Sequence, residues 1–166
     1  MDFISHGLWG GLAFGRRNRR DFFLAVLFGI TPDVLSFGIF SFMRIVGLAS
    51  GIDWSNGPPS EHLIPQYVHL LYNFTHSLVT AAAAFLIVYI VRRKIIWPML
   101  AWPLHILMDI PTHSTRFFAT PFLWPISNYR FDGISWGRPY ILLPDIAILA
   151  ILYTIYFIWN RSTRKP

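Results

Sequence analysis

Cysteine is absent from this 166-residue chain, and charged residues are scarce. The first absence excludes disulfides and thiolate ligands, so any bound metal must be held by nitrogen and oxygen atoms. Charged residues make up 13% of the sequence, against roughly 25% in an average soluble domain. Because no nucleic-acid-binding motif is present either, the net charge of +6 indicates contact with a membrane surface.

Hydrophobic residues are abundant instead, at 54% of the chain with 17% aromatic residues and a mean hydropathy of +0.47. Four long apolar segments can be compared with the roughly 20 residues that cross a bilayer. They predict an all-α integral membrane helical bundle in which residues 1–166 form a single domain. A shorter Gly-rich stretch, residues 3–15, predicts a short N-terminal apolar helix. The four long segments are residues 22–50, 66–91, 95–112 and 139–159.

Three basic clusters punctuate these segments, at residues 16–20, 92–94 and 161–165. One transmembrane topology satisfies the positive-inside rule: it places all three clusters in the cytoplasm. The loops at residues 51–65 and 114–138 then face outward. The sequence therefore predicts a multi-pass protein with its longest loops outside the cytoplasm.

His105 and Asp109 lie within one of the most apolar segments. Their four-residue spacing places them on the same face of a helix. Ionisable side chains at membrane depth are costly and usually functional. Residues 95–112 contain no lysine or arginine to pair with Asp109, so the pair predicts metal ligation, with a purely structural pair as the alternative.

Further polar residues lie at similar depths. Counted from the nearest basic cluster at about 1.5 Å per helical residue, six of them lie about 15–24 Å into the membrane. That slab is the outer half of a hydrocarbon core roughly 30 Å thick. The six residues are His6, Asp33, His76, His105, Asp109 and Asp145.

Each of the other ligand candidates also has a structural interpretation. Asp33 could belong to a helix start in which Thr31 is the cap and Pro32 the first helical residue. His76 could be a neutral buried histidine that donates to a carbonyl. His6 could lie at an interface near the terminus.

Short motifs follow one another in a definite order, and together they span nearly the whole chain. In that order and spacing the sequence resembles the YdjM-like family of bacterial inner-membrane proteins, which are predicted metal-dependent hydrolases. The order His, Pro-Asp, His, His-x-x-x-Asp is also similar to that of zinc-dependent phospholipase C. The motifs are His6-Gly7, Thr31-Pro32-Asp33-Val34, His76-Ser77, His105-Ile106-Leu107-Met108-Asp109 and Pro121-Phe122-Leu123-Trp124-Pro125-Ile126-Ser127.

The resemblance implies one metal site, with Asp109 able to bridge to a second metal held partly by His6. His113 and Asp145 are candidates for additional ligands. Imidazole and carboxylate ligands suit Zn²⁺ first, as one or two ions, with Mn²⁺ or Fe²⁺ as alternatives. Asp33 or Asp109 would act catalytically by taking a proton from the attacking water. The first site would consist of Asp33, His76, His105 and Asp109.

These observations predict a membrane-embedded metal-dependent hydrolase that cleaves a phosphoester of a lipid or lipid-linked substrate. The resemblance implies the bacterial inner membrane, with the site toward its outer side. The outward loop carries Arg116, Arg130 and Arg138. We assign substrate contact to Arg130 and anchoring to headgroups to Arg116 and Arg138, with phosphate binding as the alternative for these two. The competing class is a nonenzymatic membrane protein with a structural metal, or a small metal or proton carrier.

Overall fold

The computed structural model describes residues 1–49, 51–53 and 57–162, and within these ranges the chain is helical and forms no strand. This confirms the all-α prediction. Short 3₁₀ turns occupy Glu61–Leu63 and Trp97–Leu100, and a π-helical segment occupies Val34–Gly38. The α-helices are α1 (Phe3–Phe14), α2 (Arg19–Asp33), α3 (Ile39–Ile45), α4 (Gln66–Thr75), α5 (Leu78–Arg92), α6 (Ala101–Thr112) and α7 (Pro139–Ser162).

Two helices are long and apolar enough to cross a membrane, so four long spans are not confirmed. One runs through α2, the π segment and α3 as Arg19–Ile45, and the other is Pro139–Trp159 in α7. The pair α4 and α5 would form a third span only if it is counted as one helix broken by a 60° bend. The predicted end of the first segment, Ser50, lies outside the described residues.

The third predicted segment, residues 95–112, is much shorter as a helix. Its first part is a 3₁₀ turn, and α6 contains 12 residues, or about 18 Å of helix. Pro98 lies in the 3₁₀ turn, and prolines lack the backbone N–H that regular helix propagation requires. The hydropathy of the segment was misleading because several of its apolar residues are buried inside the protein: Met99, Ala101 and Ile106.

The predicted N-terminal helix is confirmed as α1, which packs against α2 at glycines. The Asp2 side chain caps α1 by accepting hydrogen bonds from the backbone N–H groups of Ile4 and Ser5. A Cβ atom added to Gly10 would lie 2.7 Å from the Ala25 carbonyl oxygen. Small residues allow such close approach of helix backbones in membrane proteins.

The break between α4 and α5 is closed by the loop that follows α6. Ser77 caps α5 by accepting from the N–H groups of Val79 and Thr80, and its hydroxyl donates to the Trp124 carbonyl. Leu78 N–H donates to the Phe122 carbonyl at 2.9 Å. Broken helices persist at membrane depth where the protein itself satisfies the freed backbone groups.

Large apolar side chains remain exposed on the outer faces of α5 and α7. Val91 on α5 and Trp159 on α7 keep 74% and 69% of their surface accessible. Apolar side chains in a continuous patch of this kind indicate an apolar surrounding rather than water. The interior cluster lies elsewhere, between α3, α4 and the loops that flank them, and consists of Phe40, Ile64, Val68, Tyr72 and Phe118.

Candidate metal centre

Four of the five predicted metal ligands converge on one point. Asp33, His76, His105 and Asp109 each offer one ligand atom, and these atoms all lie within 4.8 Å of one another. His76, His105 and Asp109 are buried. Asp33 keeps 22% of its side-chain surface exposed. The group is therefore a buried site with one accessible ligand.

The separations between ligand atoms fit a small tetrahedral ion. His76 Nε2 lies 3.1 Å from His105 Nε2 and 3.3 Å from Asp33 Oδ1. Asp109 Oδ2 lies 3.2 Å from His105 Nε2 and 3.6 Å from His76 Nε2. The distance from His105 Nε2 to Asp33 Oδ1 is longer, at 3.9 Å. Ligands of a tetrahedral zinc ion, at about 2.0–2.1 Å from the metal, lie about 3.3–3.4 Å apart.

Hydrogen bonds on the far side of each imidazole determine its tautomer. His105 Nδ1 lies 2.7 Å from the Gly29 carbonyl oxygen, to which it donates. His76 Nδ1 lies 3.2 Å from the Tyr72 carbonyl oxygen and 2.9 Å from the Thr75 hydroxyl. The Thr75 hydroxyl is itself committed as a donor to the Leu71 carbonyl.

In the neutral imidazoles both Nε2 atoms therefore carry lone pairs. Two lone pairs that face each other at 3.1 Å repel unless a cation lies between them. Histidine metal ligands have this arrangement, in which the other ring nitrogen donates to a carbonyl and holds the ring in orientation.

Carboxylate oxygens add to this fit. Asp33 Oδ2 and Asp109 Oδ2 are buried and accept no hydrogen bond within the described structure. Buried polar atoms without a partner are rare and require an explanation, such as an ion. The donor set of two nitrogens and two carboxylates is one that zinc accepts, so the residues present fit a divalent metal.

Irregular backbone positions two of the ligands. Asp33 ends α2 immediately before the π-helical segment and follows Pro32 within the helix. His76 occupies the break between α4 and α5. Turns of π-helix and broken helices concentrate at functional sites. The helix start predicted at Thr31 is wrong, because Thr31 and Pro32 lie inside α2.

His105 and Asp109 have the geometry that their spacing predicted. Both lie on α6 and on one face of it, and Asp109 Oδ2 is 3.2 Å from His105 Nε2. The side chain of Trp102, one turn earlier, donates to the Thr75 carbonyl at 2.7 Å. This bond joins α6 to the broken pair beside His76.

The second oxygen of Asp109 faces another set of groups. Oδ1 lies 2.8 Å from His6 Nε2 and 3.2 Å from His113 Nδ1. The N-terminal nitrogen of Met1 donates to the same oxygen at 2.5 Å. His6 also stacks on the His105 ring at a centroid distance of 3.6 Å, and its Nδ1 is buried without a hydrogen-bond partner among the described residues. Asp109 thus joins the four-ligand group to this second set.

Asp145 lies apart from both sets. Its Oδ1 accepts a hydrogen bond from Trp9 Nε1 at 2.8 Å, which joins α7 to α1. Its Oδ2 is buried and accepts no hydrogen bond within the described structure. The structure thus brings His113 toward Asp109 but leaves Asp145 with a helix-packing contact.

A cavity of about 1060 Å³ opens beside the centre. Asp33, His113 and Met1 line one part of it, and the aromatic side chains of Phe37 and Phe117 line another. Typical small-molecule binding pockets have volumes of about 300–1,000 Å³. The cavity is therefore large enough for a substrate and connects it to the least buried ligand, Asp33.

The three arginines of residues 114–138 have different positions. Arg116 and Arg138 line the cavity, but Arg130 is not among its lining residues. Arg130 donates to the Asn73 side chain at 3.2 Å. Substrate contact by Arg130 stays a prediction, whereas the two arginines interpreted as headgroup anchors line the cavity. Sequence reasoning missed them because loop residues carry no periodic signal of what they face.

Backbone bonds hold the arginine-bearing loops against the end of α6. Gly133 N–H donates to the His113 carbonyl at 2.8 Å, and Trp136 N–H donates to the Thr112 carbonyl at 2.9 Å. Asp132 Oδ1 accepts from both the backbone N–H and the hydroxyl of Thr115 at 2.8 Å. These hydrogen bonds hold the pKa of the exposed Asp132 carboxyl below its usual value.

Comparison with protein-family models, with curated proteins and with solved structures found no match. The resemblance to the YdjM-like family and to zinc-dependent phospholipase C therefore stays a prediction.

Proposed function

We propose that this protein is a membrane-embedded, metal-dependent hydrolase that cleaves a phosphoester of a lipid or lipid-linked substrate. The observation that carries the proposal is the pair of imidazole Nε2 atoms, 3.1 Å apart and flanked by two carboxylates, of which Asp33 lines a large cavity. A structural zinc site is usually closed by its four ligands, whereas a catalytic site keeps access to substrate. Access through Asp33 favours the catalytic role.

The chain's own residues suit hydrolysis. A divalent ion, when bound, supplies Lewis acidity toward the phosphoryl oxygen. Asp33 lines the cavity and is the least buried of the four ligands, so it is our candidate to take the proton from the attacking water. Asp109 holds His6 and the ligand group together through its two oxygens.

The membrane location follows from the exposed apolar helices and the basic clusters. One basic cluster lies at the end of α5, where Arg92 is the last helical residue and Arg93 and Lys94 follow it. Another, at residues 16–20, spans the start of α2. With these clusters in the cytoplasm, the cavity and the loops above α6 face the outer side. A lipid reaches such a site directly from the bilayer. We place the protein in the bacterial inner membrane on the family resemblance.

Metal content tests the proposal first. Protein purified without chelator should retain about one or two divalent ions per chain by elemental analysis. His105→Ala and Asp109→Asn should lose most of this metal. His62→Ala is the matched control, because His62 is exposed and lies outside the site; its metal content should equal that of the wild type. Equal metal in all four proteins would contradict the proposed centre.

Hydrolysis is the second measurement. Metal-loaded protein in detergent should cleave at least one member of a lipid phosphoester panel, and Asp33→Asn should depress kcat while retaining the fold. The alternative is a structural metal, which would join separate helices because the ligands come from different ones. It predicts that chelation unfolds the protein and that no panel member is cleaved.

A further inference from the structure

The rim of the cavity carries two exposed cationic side chains. Arg116 and Arg138 line it with their side chains exposed. Two carboxylates also line the cavity, but both are engaged. Asp2 accepts from Ile4 N–H and from both the N–H and the hydroxyl of Ser5, and Asp33 belongs to the ligand group. With a divalent ion bound at the proposed centre, the field that a substrate headgroup meets is therefore positive.

Both arginines belong to segments whose backbone is held by hydrogen bonds near the centre. Arg138 immediately precedes α7, and its carbonyl oxygen accepts from the N–H groups of Ile141 and Leu142. The positive end of the α7 dipole adds to the attraction for an anion. Arg116 follows Thr115, whose two bonds to Asp132 fix the facing loop. Charged groups held in place before binding recognise an anion with less ordering cost.

The rest of the cavity wall suits an acyl or polyprenyl chain. Phe37 and Phe117 line it, and Val34 and Gly38 on the π segment line the side toward α3. The same stretch of helix exposes apolar side chains, including Phe42 at 63%. An amphiphile could thus place its headgroup near the arginines while its chain follows the α3 surface.

We infer that the substrate is an amphiphile with a terminal phosphate, either a monoester or a diphosphate, gripped by Arg116 and Arg138. The inference rests on the proposed hydrolytic site and names its substrate class. Guanidinium groups match phosphate oxygens in bidentate geometry. A quaternary ammonium beyond the phosphate would instead be repelled by the same arginines.

The reaction then releases a phosphate group. The water oxygen forms a bond to the terminal phosphorus, the bond from phosphorus to the bridging oxygen breaks, and the proton lost by water ends on the leaving oxygen. A monoester gives inorganic phosphate and a lipid alcohol, and a diphosphate gives inorganic phosphate and the lipid monophosphate.

Binding of decylphosphonate tests the inference, because its carbon–phosphorus bond is not hydrolysed. Calorimetric titration in a neutral maltoside detergent should show wild-type binding that Arg116→Gln and Arg138→Gln each weaken by about tenfold or more. Arg116→Lys and Arg138→Lys should retain part of the affinity, since they keep the charge. Arg16→Gln is the matched control, because Arg16 is exposed on the loop after α1; it should bind as the wild type does.

Two comparison ligands define the headgroup and the source of the phosphate. Decylphosphocholine and inorganic phosphate should both bind more weakly than decylphosphonate. Equal affinity for decylphosphocholine, or unchanged decylphosphonate affinity in both glutamine variants, would overturn the inference. If inorganic phosphate bound as tightly as decylphosphonate, the inference that the substrate carries an apolar chain would be wrong. Thermal unfolding of every variant separates lost binding from lost folding, and in a glutamine variant that unfolds the lysine variant carries the comparison.

The failure of the proposed hydrolase gives a different pattern. Wild-type protein without stoichiometric metal, or without cleavage of any lipid phosphoester, would contradict the hydrolase even if the arginines bind decylphosphonate. Conversely, a metal-loaded enzyme that cleaves phosphatidylcholine as fast as phosphatidic acid, with no effect of the arginine variants, would sustain the hydrolase and overturn the substrate class.

Discussion

At the scale of single residues, the centre depends on atoms that orient its ligands. Gly29 has two such roles: its carbonyl accepts from His105 Nδ1, and its Cα lies against the α1 backbone. The carbonyl selects the tautomer in which His105 Nε2 faces the other ligands. The absent side chain lets α1 approach closely enough for His6 to stack on His105.

Gly29→Ala should therefore weaken metal binding. The new Cβ would lie 2.6 Å from the His6 carbonyl oxygen, so α1 or α2 must move and the histidine orientation changes with it. Loss of a supporting contact of this kind typically costs about 10–100-fold in metal affinity. Competition with a chromogenic chelator measures it.

Gly38→Ala is the control for this prediction. Gly38 lies on the same helical span, but its new Cβ would come no closer than 3.4 Å to Val34 Cγ1, an ordinary contact. Metal affinity should be unchanged. If Gly29→Ala also binds metal as the wild type does, the close approach of α1 does not position the ligands.

At the scale of elements, the segment that carries Trp136 and Arg138 is attached to α6 by backbone bonds. The attachment requires a glycine at residue 133, because a Cβ there would lie 2.4 Å from the Pro111 carbonyl oxygen and 2.6 Å from that of His113. Both partners are backbone atoms and cannot rotate away as a flexible side chain would.

Gly133→Ala should destabilise the protein by about 1–3 kcal/mol, as overpacking typically does. Displacement of the segment should also weaken decylphosphonate binding, since Arg138 moves with it. Gly137→Ala is the matched control, because its nearest neighbour would be Ser135 Oγ at 3.9 Å. Thermal and denaturant unfolding measure the stability; equal stability of the two variants would argue against the attachment.

The Asp132–Thr115 contact should make the outer loops sensitive to acid. The folded-state pKa of Asp132 is below its usual value because Thr115 donates two hydrogen bonds to it. The stabilisation is therefore fully present above the ordinary aspartate pKa of about 3.9, and it is lost as pH falls through the lower folded value.

Hydrogen exchange at the Thr115 amide measures this contact. Protection, corrected for the intrinsic exchange rate, should fall below about pH 4 in the wild type. In Asp132→Asn it should be low at neutral pH and should change little with acid. Asp21→Asn, in the first turn of α2, is the control and should follow the wild type. If protection of the Thr115 amide in the wild type did not change with acid, Asp132 would not stabilise this loop contact.

At the scale of the whole molecule, the helices fold around a polar centre while their outer faces stay apolar. The buried ligands lie near the middle, and α7 has large apolar side chains over its exposed face. Such a distribution suits a lipid surrounding, in which the core need not be the most apolar region. Orientation in the membrane then decides which compartment the cavity faces.

Single cysteines test the orientation, and the chain has none of its own. Asn128→Cys, in the exposed loop after α6, should react with a membrane-impermeant thiol reagent in intact cells. Lys94→Cys, exposed after α5, should react only after lysis. Labelling of Lys94→Cys in intact cells would show the opposite topology, with the cavity on the cytoplasmic side.

Some of this molecule was readable from its sequence. Apolar composition and segment length predicted helices, because backbone groups in an apolar surrounding are satisfied within helices. The spacing of His105 and Asp109 predicted one shared face because helical periodicity is a local property. Counting depth from the basic clusters predicted that Asp33 and His76 lie in the same slab as that pair. The family resemblance implied that the four form one site, and their ligand atoms lie within 4.8 Å.

Other features were decided only by tertiary structure. The apolar segment containing α6 is not one long helix, because a 3₁₀ turn forms its first part. Several of its apolar side chains are buried by protein, and hydropathy does not distinguish burial by protein from burial by lipid. The Gly29 carbonyl, the N-terminal nitrogen and the cavity arginines carry no sequence signal, because their roles come from distant backbone that folding places beside them. Sequence determined which groups were available for chemistry, and the meeting of α1, α2, α6 and the outer loops determined what each group faces.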